Sequence, residues 1–343
     1  MSGAHQSHPG LGRMSLALLA WCVAAGAGGW AQEATAPQVW PPPPAVARVV
    51  MQACLTQPAD LGAKPSLADR FLNLLTGTSR GREQFVRPFG IAVDEIGNLC
   101  LTDTGANVVW YFDRAQGRAA RWDQIDHVRF VQPVAVAKAG GIIYVADAGL
   151  RQVVAFDEAG RLRFRLTDQF DRPVGLAMAG GQLYVVDSAA HGVFVFDPNG
   201  RKLGKFGQRG AGPGEFNFPT HVAVDGLGRV YVTDAMNARV QVFAADGRFL
   251  HGIGSLGDGS GHFSRPKGVA VDRLGQVYVA DALFDNIQIF DPEGNFLLDL
   301  GSSGSAIGEF WLPSGIAVSH DDRIFIADTS NGRVQVLRYL GEP

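Results

Sequence analysis

The chain has 343 residues, of which 44 are glycine, and its net charge is −3. A hydrophobic content of 46% with 18% charged residues excludes a disordered chain or a long coiled coil, and the lack of a basic excess argues against nucleic-acid binding. The three cysteines form no CxxC pair, which excludes a zinc ribbon or an iron–sulfur cluster. No apolar run reaches the roughly 18 residues of a membrane-spanning helix.

Residues 1–31 have the pattern of a secretory signal peptide. A basic residue precedes an apolar stretch over residues 15–25, and small residues follow up to Ala31. This order predicts cleavage after Ala27 or Ala31 and export to the periplasm or the extracellular space. The alternative is a lipoprotein modified at Cys22, although the bulky residue before it is larger than such a cleavage site normally has. Membrane proximity is therefore expected only through the N-terminus.

Residues 32–66 are a proline-rich extension, and residues 67–343 carry a series of repeats. The four consecutive prolines at 41–44 favour polyproline II and predict a stiff spacer. After removal of the signal peptide the remaining cysteines are Cys54 and Cys100. We expect two separate thiols rather than a disulfide, because one lies in the extension and the other in an apolar strand pattern.

One motif occurs six times along the chain. Each copy begins with a proline and an apolar strand, passes through a glycine-containing turn, and continues in a second apolar strand that ends in aspartate. The prolines are Pro88, Pro133, Pro173, Pro219, Pro266 and Pro313, and the aspartates are Asp103, Asp147, Asp187, Asp234, Asp281 and Asp328. Both series have spacings of 40–47 residues, so two independent markers share one period.

Each repeat contains four short strand patterns, and a unit of about 40–47 residues with four strands is typical of a propeller blade. One blade cannot bury both faces of its sheet, whereas blades packed in a ring can. The pattern P-x-G-V-A-V-D…V-Y-V-A-D-x-x-N-x-R-V-Q-V-F at residues 219–243 and 313–336 resembles NHL repeats. The resemblance covers residues 85–340 and implies an all-β, six-bladed β-propeller. With the WPPPP segment, the chain also resembles exported bacterial proteins that carry such propellers.

The last repeat ends after its third strand, so a strand from the N-terminal part must complete the ring. Residues 48–55 have a strand-like pattern. Residues 71–75 are the alternative, because Phe71 precedes Pro88 by 17 residues, as an aromatic residue precedes two later repeat prolines. A capping box and helical apolar spacing instead predict a short helix over 66–75. We therefore favour residues 48–55 as the closing strand.

The repeated aspartates predict a structural role, in which they accept hydrogen bonds from turn backbone or from a loop arginine. Metal chemistry has less support. In the lyases that resemble this fold, histidines from several blades hold a metal near the start of the first strand. The equivalent positions here are Gly90, Ala135, Gly175, His221, Gly268 and Gly315. One imidazole cannot replace three ligands, and the carboxylates that hold calcium in gluconolactonase-like propellers are missing from these strands. We assign no metal and no cofactor.

The candidate binding residues lie in the variable loops that lead into the first strands, where a rigid scaffold usually presents function. They are Phe89, Thr220, His221, Lys267 and Ser314. His221 and Lys267 come from adjacent blades and can converge on one anionic or hydrogen-bonding group. A second basic set alternates along an outer strand and is interpreted as a charged edge that blocks edge pairing; it comprises Arg161, Arg163 and Arg165.

These observations favour an exported, non-catalytic scaffold that binds a protein partner or a small ligand at the mouth of the axial channel. The alternative is a propeller lyase or hydrolase with a site at the same mouth. Stoichiometric zinc or calcium in the purified protein would favour the enzyme.

Overall fold

The computed structural model describes residues 38–61 and 83–341. The predicted signal peptide, Cys22 and the helix predicted over 66–75 lie outside these residues. The described part is almost entirely β-structure, and its helices are 3₁₀ turns of three or four residues. None of its helices is long and apolar enough to cross a membrane. Six antiparallel sheets form the blades of a propeller, and each begins at one of the repeat prolines.

Blades 1 to 3 each have four strands that follow one another in sequence and in space. Their strands are Pro88–Val93, Leu99–Asp103, Val108–Asp113 and Arg118–Trp122; Pro133–Ala139, Ile142–Asp147, Gln152–Asp157 and Leu162–Leu166; and Pro173–Ala179, Gln182–Asp187, Gly192–Phe196 and Lys202–Phe206.

Blades 4 and 5 repeat the same order, which the six-bladed prediction required. Their strands are Pro219–Val224, Val230–Asp234, Arg239–Phe243 and Phe249–Ile253, followed by Pro266–Val271, Val277–Asp281, Asn286–Phe290 and Phe296–Leu300.

Blade 6 combines the two ends of the chain. Its first three strands are Pro313–Val318, Arg323–Asp328 and Arg333–Tyr339. The next strand, Val49–Leu55, pairs antiparallel with Arg333–Tyr339, and Val39–Trp40 adds a fifth strand at the outer edge. The strand in the fourth position therefore comes from the proline-rich extension.

The hydrophobic core lies between adjacent blades rather than within them. One cluster joins Ile289 of blade 5 to Ile326 of blade 6, and another joins Val153 of blade 2 to Val185 of blade 3. The second and third strands supply most of these buried side chains, and the fourth strands of blades 1 and 3 are largely exposed. A single blade thus has no core of its own, as expected for a closed repeat array.

The first strands surround the axis and come very close to one another. A Cβ atom added to Gly90 would lie 2.5 Å from the carbonyl oxygen of Val134, and one added to Gly175 would lie 2.6 Å from that of Thr220. Gly268 and Gly315 have backbone neighbours of the same kind. Glycine is therefore required at this position in four blades, because the next blade occupies the space of a side chain.

The six repeated aspartates are fully buried and hold the loops that lead into the first strands. Asp103 accepts hydrogen bonds from the backbone N–H groups of Val86 and Arg87 at 2.7 and 3.0 Å, and Asp187 does the same for Asp171 and Arg172 at 2.6 and 2.9 Å. The other four aspartates also accept hydrogen bonds from their loops. The geometry agrees with the structural role predicted for these residues.

Both cysteines in the described part are free thiols. Cys54 lies in the strand from the extension and is half-buried, whereas Cys100 is fully buried in blade 1. Burial raises the pKa of both thiols, so neither carries the thiolate that redox chemistry needs.

Candidate functional site

Two faces of the propeller follow from the direction of the first strands. The loop face carries the loops that precede the first strands and those that join the second strands to the third. The hairpin face carries the turns that join the first strands to the second. A cavity of about 360 Å³ opens at the axis on the loop face, and we call it the loop mouth. Its lining includes Arg87, Phe89, Arg172, Thr220, His221 and Lys267.

Four of the five residues predicted from the sequence line this cavity together. Phe89, Thr220, His221 and Lys267 come from blades 1, 4 and 5. Ser314 lies elsewhere, because it is only 1% exposed and its hydroxyl donates to the carbonyl oxygen of Phe89 at 3.0 Å. Ser314 therefore ties blade 6 to blade 1 beneath the mouth and supports the backbone of Phe89.

His221 has no hydrogen-bond partner in the part of the chain that the structure describes. Both ring nitrogens are shielded from solvent, and the ring stacks on Phe89 with 6.2 Å between ring centroids. Burial, helped by the charge of Lys267, lowers the pKa of His221 to about 3. The imidazole is therefore neutral at physiological pH, and it carries one N–H donor and one acceptor nitrogen that are both unsatisfied among the described residues. The hydroxyl of Thr220 is likewise buried without a partner among these residues.

The ammonium group of Lys267 faces the same space. Its Nζ lies 5.1 Å from the ring centroid of Phe89, within the range of a cation–π contact. Burial lowers the pKa of Lys267, and the positive charges of Arg265 and Arg87 lower it further. Blade 4 holds the backbone of Lys267, because the Thr233 hydroxyl donates a hydrogen bond to the Lys267 carbonyl oxygen at 2.7 Å.

Arg87 and Arg172 are functional candidates that the sequence reasoning missed. Each precedes a repeat proline and has an exposed side chain at the loop mouth. Within the described residues, neither arginine forms an ion pair, nor does Lys267. Among the described residues, no acidic side chain lines the cavity. Comparison of the residues that precede the six prolines would have revealed this pattern, since three of the six are arginine.

The charges on the opposite face are arranged differently. A cavity of about 620 Å³, which we call the hairpin mouth, surrounds the axis there. Lys138 Nζ lies 2.5 Å from Asp94 Oδ2 and 2.9 Å from Glu158 Oε1, while Arg229 Nε lies 2.6 Å from Asp225 Oδ2. Burial opposes the charge of Lys138, but hydrogen bonds to Asp94 and Glu158 outweigh it and raise the pKa of the lysine.

The outer-wall arginines also have partners. Asp157 pairs with Arg161 at 2.8 Å and with Arg163 at 3.3 Å, and the guanidinium of Arg165 donates to the carbonyl oxygen of Ile125. This arrangement agrees with a charged edge strand rather than an anion site. In the described residues no group of three or more His, Cys, Asp or Glu side chains is placed to hold a metal ion.

Comparison with known families supports the propeller assignment. A family model described as a 6-bladed beta-propeller matches residues 167–227 and 225–281, and the model of the NHL repeat matches residues 310–337. A search of curated proteins gave no match.

Several solved structures share the fold at low sequence identity. A streptogramin B lyase gives a TM-score of 0.54 at 13% identity, covering 74% of this chain and 93% of that one. A catalytically inactive virginiamycin B lyase from Staphylococcus aureus with quinupristin gives 0.56 at 11% identity, with coverages of 76% and 97%. A gluconolactonase from Xanthomonas campestris gives 0.56 at 18% identity, with coverages of 74% and 86%. At these identities the likeness concerns the fold alone. With six blades and a match to the NHL-repeat model over residues 310–337, the chain is a six-bladed β-propeller that carries an NHL repeat.

Proposed function

We propose that the protein is an exported, non-catalytic propeller that binds its ligand or partner at the loop mouth. The observation that carries the proposal is the group of buried polar atoms on His221 and Thr220, which have no partner within the described chain. Leaving such a group unsatisfied costs about 1–3 kcal/mol. Buried polar groups in folded proteins are normally hydrogen-bonded, so a bound molecule that supplies the missing partner accounts for their presence.

The chemistry of the mouth favours binding over catalysis. A histidine whose pKa is lowered to about 3 is a weak general base at neutral pH. Its neighbours in the mouth are the apolar ring of Phe89 and the ammonium of Lys267, neither of which orients it for proton transfer. The lyase and gluconolactonase structures share only the fold, so their activities do not carry over to this chain.

Export rests on the pattern of residues 1–31, and mature protein from the native host should begin near Gly28 or Gln32. Intact-mass measurement tests this directly. Retention of residues 1–31 would refute export through a cleaved signal peptide, and a lipid adduct on Cys22 would support the lipoprotein alternative.

Binding at the loop mouth is tested by ligand-observed NMR with three probes of one shape, namely benzamide, benzoate and benzylamine. The variants are His221→Ala/Lys267→Ala and, as a matched control on the outer wall, Arg161→Ala/Arg163→Ala/Arg165→Ala. We expect at least one probe to bind the native chain and the control but not the mouth variant. The proposal fails if no probe depends on the mouth, or if the outer-wall variant is the one that loses binding.

A further inference from the structure

We propose that the loop mouth selects a small organic anion, a carboxylate or a phosphate monoester, whose charged group is held by Lys267, Arg87 and Arg172. This inference rests on the proposed function and names the class of its ligand. The three cations come from blades 5, 1 and 3 and line one cavity, to whose wall the described part of the chain contributes no acidic side chain.

The two arginines are suited to a planar or tetrahedral anion. A guanidinium donates two parallel hydrogen bonds to a carboxylate or phosphate group. The backbone N–H groups of Arg87 and Arg172 are held by the buried carboxylates of Asp103 and Asp187 at 3.0 and 2.9 Å. The fold thus fixes where each side chain leaves the backbone and leaves its guanidinium free for an anion.

The floor of the mouth fits the uncharged part of such a ligand. Phe89 and the stacked His221 ring offer a flat face, and the neutral imidazole and the Thr220 hydroxyl can each donate or accept one hydrogen bond. A volume of about 360 Å³ lies in the lower part of the range of about 300–1,000 Å³ typical of small-molecule sites. The geometry therefore points to an anionic head near the rim and a short, flat body below it.

The lysine content of the chain provides a sharp chemical test. The sequence has five lysines, which are Lys64, Lys138, Lys202, Lys205 and Lys267. Pyridoxal phosphate carries an aldehyde and a phosphate monoester on one ring. The deprotonated amine of a lysine attacks the aldehyde carbon and water leaves as the imine forms; hydride from borohydride then reduces the imine to a stable secondary amine. Peptide mass spectrometry identifies the modified lysine.

We expect pyridoxal phosphate to modify Lys267 about tenfold faster than pyridoxal does, when each rate is normalised to the exposed Lys202 and Lys205. This factor is what one charge-assisted hydrogen bond to the phosphate gives. The variant Arg87→Gln/Arg172→Gln should remove the difference between the two reagents. Phenyl phosphate and benzoate should protect Lys267 from modification, whereas benzamide should not.

The inference is overturned if both reagents modify Lys267 at the same normalised rate. It is also overturned if Arg87→Gln/Arg172→Gln leaves the difference between the two rates unchanged. Unaltered thermal unfolding of that variant serves as the control for its fold. Binding of benzamide at the mouth would then show that the proposed function holds and only the anion selectivity is wrong. If the binding of no probe depends on the mouth residues, both the proposed function and the anion selectivity are refuted.

Discussion

The two mouths of the axial channel differ in how their charged side chains are paired. At the hairpin mouth the cations are paired with carboxylates within the fold, Lys138 with Asp94 and Glu158 and Arg273 with Asp322. At the loop mouth the cations and the polar atoms of His221 have no such partners among the described residues.

The difference follows from the groups that meet at each mouth. Asp225 and Arg229 belong to one hairpin, and Asp94 also accepts hydrogen bonds from the backbone of Ile96 and Asn98 within its own turn. Lys138 of blade 2 reaches Asp94 of blade 1, so this carboxylate holds both its own turn and the neighbouring blade. The loop mouth instead brings together cations from blades 1, 3 and 5, and no carboxylate of the described residues lines it. We infer that the hairpin mouth stabilises the propeller and the loop mouth binds its ligand.

Opening the ring should abolish both mouths and give the largest effect. We propose that the strand Val49–Leu55 completes the ring, because it pairs along the length of Arg333–Tyr339. Deletion of residues 32–78 should leave Arg333–Tyr339 with an open edge. We expect aggregation or a loss of cooperative unfolding. Thermal unfolding with light scattering measures this. An unchanged melting temperature would contradict the role of this strand in closure.

The next largest effect should be a difference in stability between a variant of the hairpin mouth and a variant of the loop mouth. Lys138→Met leaves Asp94 and Glu158 without their cation, and we expect a loss of about 3 kcal/mol, since breaking a buried pair is costly and Glu158 is partly exposed. The matched variant Lys267→Met removes a charge that has no acidic partner and should leave stability unchanged or slightly raised. Denaturant unfolding of both variants checks this. Equal losses would break the distinction between the two mouths.

The first strands around the axis should show the same distinction at one position of the repeat, two residues after the proline. Gly175→Ala places a methyl group against the Thr220 carbonyl and should cost about 1–3 kcal/mol through overpacking. His221→Ala occupies the equivalent position of blade 4 and removes two unsatisfied nitrogens, so a change below about 1 kcal/mol is expected. Urea unfolding of the two variants compares them. A larger loss for His221→Ala would mean that the histidine is a structural group.

The effect that is smallest near neutral pH is a pH dependence that originates in His221. Its pKa is about 3 in the fold and 6.5 when exposed, so between these values the unfolded chain binds the extra proton. Stability should therefore fall as the pH drops from about 6.5 towards 3. His221→Ala should lose this component, so the native chain should lose stability relative to the variant on acidification. Parallel curves over pH 3–7 would indicate that the imidazole is solvated and titrates normally.

The sequence predicted the parts of the fold that repeat. The period of the prolines and aspartates gave six blades, and the buried aspartates accept hydrogen bonds from their loops as predicted. Four of the five predicted site residues meet at the loop mouth because their position within the repeat determines which face they reach. That information is local to one repeat and can be recognised without the structure.

The remaining features depend on how different blades meet, which the repeat pattern does not contain. Arg87 and Arg172 come from non-adjacent blades, and only ring closure brings them to one cavity. The hydroxyl of Ser314 turns towards the Phe89 carbonyl of the next blade, a contact across 225 residues of sequence. That His221 has no partner among the described residues is likewise a property of its three-dimensional surroundings.

The most direct test of the central claim follows both mouths in one titration. Protein with isotope-labelled lysine side chains is titrated with phenyl phosphate, and the NMR signals of Lys267 at the loop mouth and Lys138 at the hairpin mouth are compared. The account predicts a saturable shift of Lys267, with its lowered pKa rising as the anion binds, and no response from Lys138. A silent Lys267, or equal shifts of Lys138 and the exposed Lys202 and Lys205, would contradict it.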